Sequence, residues 1–463
     1  MEKITIIGAG PVGSLLSIHL ARAGFQVFLY EKNGDPRRAD ANIRLGQSVN
    51  ITLCHRGLRA LDAVGIGDRV QNYTIPLYGR VVHGLSGEPV YQPYGSNREA
   101  LYAIKRKHLM GILLETAASY DNIQIAFNQK CVDVDLPTAT LHLQDISTGK
   151  TSIVDANRII AADGAYSTIR TAMQKQRRFN YSQKYNEQGY KEILLPASCQ
   201  ADWTTAKNAL HIWPRSDFLL FGFPNITGSY TLSLHMPFEG ELSHKSIQTP
   251  AALNHLLSTY FPDVWPFVQD RLEGYFDKPT QTMVTIRCFP WIYQDKVALV
   301  GDSCHAIYPY YGQGTNAGFE DCLIIMRYIN QYAGNWSQIF REFEQTRKAD
   351  MDVIADLCCE HLTLLSDRLN NPKYLLRNKV ERAMQQVHPD YTSLYHNIAF
   401  TSMRYSQALQ VEQAYQSFID RIVAIDDIEN KLNRNAAEVL TLFQDQDNSS
   451  LSMKPLATCN TAP

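Results

Sequence analysis

The chain has 463 residues, with 44 Lys+Arg against 46 Asp+Glu and a formal charge of −2. A nucleic-acid protein would carry a strong basic excess, so that class is set aside; 45% hydrophobic and 19% charged residues exclude wholesale disorder and suit roughly three units of about 150 residues. Nine scattered cysteines without a C-x-x-C pair, no zinc-spaced His/Cys cluster, no leader pattern and no run of ~18 apolar residues read as a reduced cytoplasmic chain with no metal site and no transmembrane anchor.

Residues 3–7 (KITII) are a short buried strand; Gly8-Ala-Gly10-Pro-Val12-Gly13 follows at once, then a helical run stopped by Gly24. Residues 26–30 (QVFLY) form a second strand ending at Glu31, which completes a βαβ opening. A helix is expected over 55–70, short strands near 78–83, 89–92 and 101–104, and a helix over 107–119. Residues 122–127 form a strand, and 131–135, 139–144 and 151–154 a meander. A buried strand, 158–164, ends in Asp163-Gly164. Long alternating strands fill 188–236. Helices are expected over 249–260 and 264–270, and 297–303 (VALVGDS) returns to a buried strand. From 316 to 445 the pattern is helical, with breaks at Asn371-Pro372 and His388-Pro389, and the end of the chain is polar and loose.

Gly8-x-Gly10-x-x-Gly13 is a dinucleotide fingerprint. Gly8 allows the tight turn, Gly10 the backbone approach to a pyrophosphate, and Gly13 close packing of helix on strand, with phosphate at the helix N-terminus. Glu31, 18 positions after Gly13, is placed for ribose hydroxyls. A plain NAD enzyme would continue in βαβ units; this chain gives a meander and two further strand-end turns, Asp163-Gly164 and Gly301-Asp302. Asp302 suits the ribityl chain of FAD, and backbone N–H groups of Gly314, Thr315 and Asn316 suit the flavin pyrimidine. Either aspartate alone would read as a turn or capping residue.

These three elements, in this order, resemble the single-component FAD-dependent aromatic hydroxylases. The resemblance runs from residue 3 to about 410 and is closest to the branch acting on kynurenine, in the strings SVNITLCHRGLRALDAVG, RFNYSQKYNEQGY, LHIWPR with MPFE, and HAIYPYYGQGTNAGFEDC. It implies an α/β fold: a Rossmann-like FAD-binding domain in three parts (1–75, 105–180, 288–335), an antiparallel-sheet substrate domain (76–104, 181–287), a C-terminal helical region (336–445) and a flexible tail (446–463). It further implies Arg106 at the FAD pyrophosphate; Arg80, Tyr94 and Tyr405 on the substrate carboxylate; and Tyr310 and Tyr311 walling the pocket. The chain departs from the family where His361, still able to donate a hydrogen bond to the substrate, stands at an asparagine, Leu364 at a glutamate, Ser366 at an arginine and Gln47 at an arginine.

The implied reaction uses NADPH (or NADH) and O2 to hydroxylate an aromatic ring by way of a C4a-hydroperoxyflavin: L-kynurenine to 3-hydroxykynurenine in tryptophan catabolism, with no side-chain base assigned. Alternatives are a related hydroxylase of another carboxylated aromatic, or a non-enzymatic binding protein of the same fold. Either a monomer or a homodimer is compatible with the sequence.

Overall fold

The computed structural model describes residues 1–38, 50–85, 88–95, 98–198, 206–272, 274–365, 371–387 and 391–447; Gln47, Ser366, His388-Pro389 and the chain beyond residue 447 lie outside them.

The first sheet runs, edge to edge, Ile292–Tyr293, Val297–Leu299, Ile159–Ala161, Lys3–Ile7, Gln26–Tyr30, Ile123–Ala126. All neighbours are parallel except the terminal pair Ile292–Tyr293 and Val297–Leu299. Its central strands Lys3–Ile7, Ile159–Ala161 and Val297–Leu299 are almost wholly buried, with the helix Pro11–Arg22 packed on the sheet and Gly314–Tyr332 packed on that helix. Strand order reverses between Lys3–Ile7 and Ile159–Ala161, so a crevice opens at their carboxyl ends, where such sheets bind ligands. The helix Pro11–Arg22 begins with proline at its first turn, where the missing N–H costs nothing, and Gly24 ends it at φ +88°.

The meander Gln129–Asp135, Thr140–Asp145, Thr151–Asp155 forms as its alternation implies. A seven-stranded sheet has the order Gln281–Phe289, Asn180–Leu195, Tyr230–Pro237, Phe218–Pro224, Ala209–Arg215, Gly79–Val82, Val90–Pro93. It is antiparallel with one exception: Gly79–Val82 runs parallel to Ala209–Arg215, because it arrives from an earlier excursion of the chain. One face packs on the helix Pro250–Tyr260; the other faces the crevice.

Two details differ from the sequence pattern. The run 55–70 is two helices, His55–Asp62 and Gly67–Gln71, broken at Gly65 with φ +77°. Leu101–Lys105 does not join the large sheet but pairs back on Asn50–Leu53 and Ile75–Leu77, closing the excursion onto the first unit. The C-terminal region comprises Trp336–Thr363, Pro372–Val387, Leu394–Phe400, Tyr405–Val423 and Ile428–Asp447.

Candidate active site

A single cavity of about 1210 Å³ runs from the fingerprint loop to the near edge of the large sheet. At one end the backbone turns at Gly8 (φ +99°), where a Cβ would stand 2.4 Å from the Ala162 carbonyl oxygen. A Cβ on Gly13 would lie 1.9 Å from the Gly8 oxygen, so helix and turn close as the fingerprint requires. Gly10 is different: nothing lies within 4 Å of its missing Cβ, and it opens on the cavity with Val12. The helix behind it has no side-chain cap and no acid in its first turn, so its positive end is unspent.

Glu31 stands beside this loop. One oxygen accepts from Ala9 N at 2.9 Å; the other accepts from Asn33 N and Nδ2 at 2.9 and 2.7 Å. Asp163 caps the helix Thr168–Met173 through Thr168 N at 2.8 Å, while its second oxygen is buried without a partner; burial raises its pKa. Asp302 opens into the cavity but is ringed by protein, and that enclosure likewise raises its pKa against the pull of His305 and Arg106. The Gly301 turn (φ +59°) is held from behind by Asp321, which accepts from Gly301 N at 2.9 Å, His305 Nε2 at 2.6 Å and Arg347 Nε at 2.8 Å. Arg106 begins the helix Arg106–Ala118 at the cavity wall. Gly314 and Thr315 open the uncapped helix Gly314–Tyr332 and also line the cavity.

Asn316 does not present its side chain there. It is fully buried, donates to Thr52 O and Gly312 O at 2.8 and 2.7 Å, and accepts from Cys54 N at 2.9 Å. Its amide ties the first helical turn to the strand Asn50–Leu53, leaving only its backbone for a ligand.

These residues fit FAD. A backbone loop without Cβ obstruction, an orphaned carboxylate oxygen, an acid facing the cavity and two uncapped helix starts meet the needs of pyrophosphate, hydroxyls and an electron-rich ring edge.

Arg80 lies at the far end. Its Nε donates to Gln92 Oε1 at 2.9 Å and its Nη2 to Tyr374 Oη at 3.0 Å; among the described residues no carboxylate pairs with it. Tyr94 borders it, its pKa pushed up to about 12 by burial. The His361 ring lies tilted against Tyr311, centroids 4.5 Å apart, and burial with the neighbouring Arg80 charge lowers its pKa to about 3, so it is neutral. Tyr310 and Tyr311 line the cavity, with Tyr310 Oη 3.5 Å from His235 Nδ1.

Tyr405 does not reach this end. It is wholly buried, donates to Gln313 Oε1 at 2.9 Å and lies under the Arg56 guanidinium at 4.2 Å. Tyr395, ten residues earlier, lines the cavity instead, stacked on Tyr94 and Tyr311 at 5.5 and 5.4 Å. Likewise Leu365 lines the wall, while Leu364 packs against the core. Sequence reasoning also missed Gln92, Tyr374 and Glu192, which faces the cavity with its pKa raised to about 7 by burial. Tyr395 and Tyr374 carry no local signal; Gln92 is legible only once the pairing of its strand with Arg80 is known.

Residues 1–334 match a family model described as an FAD binding domain. Kynurenine 3-monooxygenase of Flavobacterium johnsoniae is 38% identical over 445 residues, 96% of this chain and 99% of that protein. The Dictyostelium discoideum kynurenine 3-monooxygenase is 34% identical, covering 92% and 94% of the two chains. Among solved structures, 2-methyl-3-hydroxypyridine-5-carboxylic acid oxygenase superposes with a TM-score of 0.66 at 19% identity, over 80% of this chain and 95% of that one. PqsL of P. aeruginosa, in complex with 2-aminobenzoylacetate, gives 0.63 at 17% identity over 79% and 97%; both show the fold. A cavity fitted to FAD, in a chain matched almost end to end by these relatives, makes it a flavoprotein aromatic monooxygenase of the kynurenine 3-monooxygenase family.

Proposed function

We propose that the chain hydroxylates L-kynurenine to 3-hydroxykynurenine at the expense of NADPH and O2, with Arg80 anchoring the substrate carboxylate. One observation carries this reading: a guanidinium enclosed in the cavity wall whose hydrogen-bond partners, Gln92 and Tyr374, are both neutral. A cation taken out of water costs several kcal/mol unless compensated, and a ligand carboxylate compensates it through charge-assisted hydrogen bonds. Tyr94 keeps its proton and adds a donor; Tyr395 stacks beside it; neutral His361 brings no rival charge.

Next to Arg80 the sheet presents Leu210, Ile212, Phe221 and Phe223, an apolar bed for an aromatic ring. Fixing the carboxylate at one end and the ring on this bed orients the carbon to be hydroxylated and keeps water away from it. Bound FAD supplies the oxygen-transfer chemistry that side chains lack. On the cofactor side we assign the backbone of Gly10, Val12 and Gly13 and the Arg106 side chain to the pyrophosphate, Glu31 to the ribose and Asp302 to the ribityl hydroxyls. Asp163 completes that set, and the N–H groups of Gly314 and Thr315 face the ring.

Another carboxylated aromatic is the second reading. It is favoured by His361 and Leu365 in the wall, neither of which offers the substrate an acidic group. The product made from L-kynurenine under NADPH turnover decides. Ring 3-hydroxylation matched to NADPH consumption is expected. NADPH oxidation yielding only hydrogen peroxide would remove kynurenine, and a panel of carboxylated aromatics would then identify the substrate class.

A further inference from the structure

We propose that Tyr374 is a positioning residue for the substrate carboxylate, acting through Arg80, and that the helices beyond it buttress it there. This rests on the reading that Arg80 binds that carboxylate.

An arginine side chain offers five N–H donors in a planar fork. In this chain two of them are spent. Nε donates to Gln92, which sits directly across from Arg80 in the antiparallel register of Gly79–Val82 and Val90–Pro93. Nη2 donates to the Tyr374 hydroxyl at 3.0 Å. Both partners are neutral, so they fix the plane of the guanidinium without cancelling its charge, and the remaining N–H groups are left for a ligand. Holding a long, flexible side chain in its bound rotamer beforehand removes part of the ordering cost of binding.

Gln92 is set by the sheet, but Tyr374 comes from a residue 294 positions away, on the helix Pro372–Val387. That helix packs on the two long helices C-terminal to it. Val380 and Met384 share a core with Phe418, Ile419, Ile422 and Ile428. Arg377 pairs with Glu412 at 2.8 Å and Asp420 at 3.0 Å on the helix Tyr405–Val423, and Lys379 pairs with Glu429 on the helix Ile428–Asp447. The described part of the chain beyond residue 410 therefore props the helix whose first turn carries Tyr374.

The test is a double-mutant cycle on FAD-loaded enzyme. The dissociation constant of L-kynurenine is read from its perturbation of the flavin absorption spectrum, alongside KM, kcat and thermal midpoint. Tyr374→Phe is expected to weaken binding and raise KM about tenfold, the scale of one hydrogen bond to a charged group, with kcat and the midpoint nearly unchanged. In an Arg80→Met background the same change should do almost nothing. Arg377→Gln, which loosens the buttress, should shift binding in the same direction. Equal effects of Tyr374→Phe in both backgrounds, or none in the parent, would overturn the proposal. Unchanged kynurenine binding in Arg80→Met alone would instead overturn the carboxylate reading beneath it.

Discussion

Gly8 and Gly10 stand two residues apart and answer to different constraints. Gly8 holds a positive φ with the Ala162 carbonyl where a side chain would begin, so the fold itself demands it. Gly10 has an ordinary extended backbone and open space at its Cβ, so only a ligand demands it. Gly10→Val is therefore expected to fold with the parent circular-dichroism spectrum yet to purify without flavin absorbance. A yellow Gly10→Val protein with normal FAD affinity would show that the pyrophosphate lies elsewhere. The fingerprint glycines, Glu31 and the two aspartate turns were legible in the sequence because each is set by its neighbours within a few residues. Tyr405 was not: whether a tyrosine faces a cavity or a helix flank depends on elements hundreds of residues away.

At the scale of elements, the segment between the helices Leu394–Phe400 and Tyr405–Val423 decides which tyrosine enters the cavity. Arg56, from the helix His55–Asp62, donates to the carbonyls of Ile398 and Met403 and stacks on Tyr405, with Glu320 neutralising it. Arg404 and Ser406 bond Asp350 on the helix Trp336–Thr363. Pinned at both ends, the segment turns Tyr395 toward Tyr94 and seals Tyr405 against Gln313. Tyr405→Phe should consequently lower stability by about 1 kcal/mol, the net worth of one buried hydrogen bond, and leave the KM for substrate unchanged. A large rise in KM with unaltered stability would return Tyr405 to the substrate site.

For the whole molecule, burial governs the response to pH. His19, His83 and His244 are held at about 4, and His211, His235 and His361 at about 3, by loss of hydration. Unfolded, each titrates near 6.5. Below that pH the unfolded chain takes up protons that the folded chain refuses, so the stability these residues contribute is whole above about 6.5 and drains as pH falls, at up to ~1.4 kcal/mol per unit each. Glu192 and Glu381, raised to about 7, act oppositely: folded, they keep protons that the unfolded chain releases above about 4.5, so their share declines as pH rises. His55, His108 and His396 are lowered as well, and Asp163, Asp302 and Glu344 raised, so among the described residues nine histidines outweigh five carboxyls and the thermal midpoint should climb between about pH 5 and 6.5. A flat or falling midpoint over that interval, at constant ionic strength, would contradict these burial effects.

Local pattern was enough to announce the nucleotide-binding turns, the meander, the long strands and the helical C-terminal region, because hydrophobic period and glycine placement act over a few residues. Assembly alone settled the rest: the parallel docking of Gly79–Val82 onto Ala209–Arg215, the meeting of Arg80 with Tyr374, and the choice of Tyr395 over Tyr405. Those outcomes depend on which surfaces pack against each other after chain closure over 100 to 300 residues, and nothing in a short window of sequence encodes that geometry.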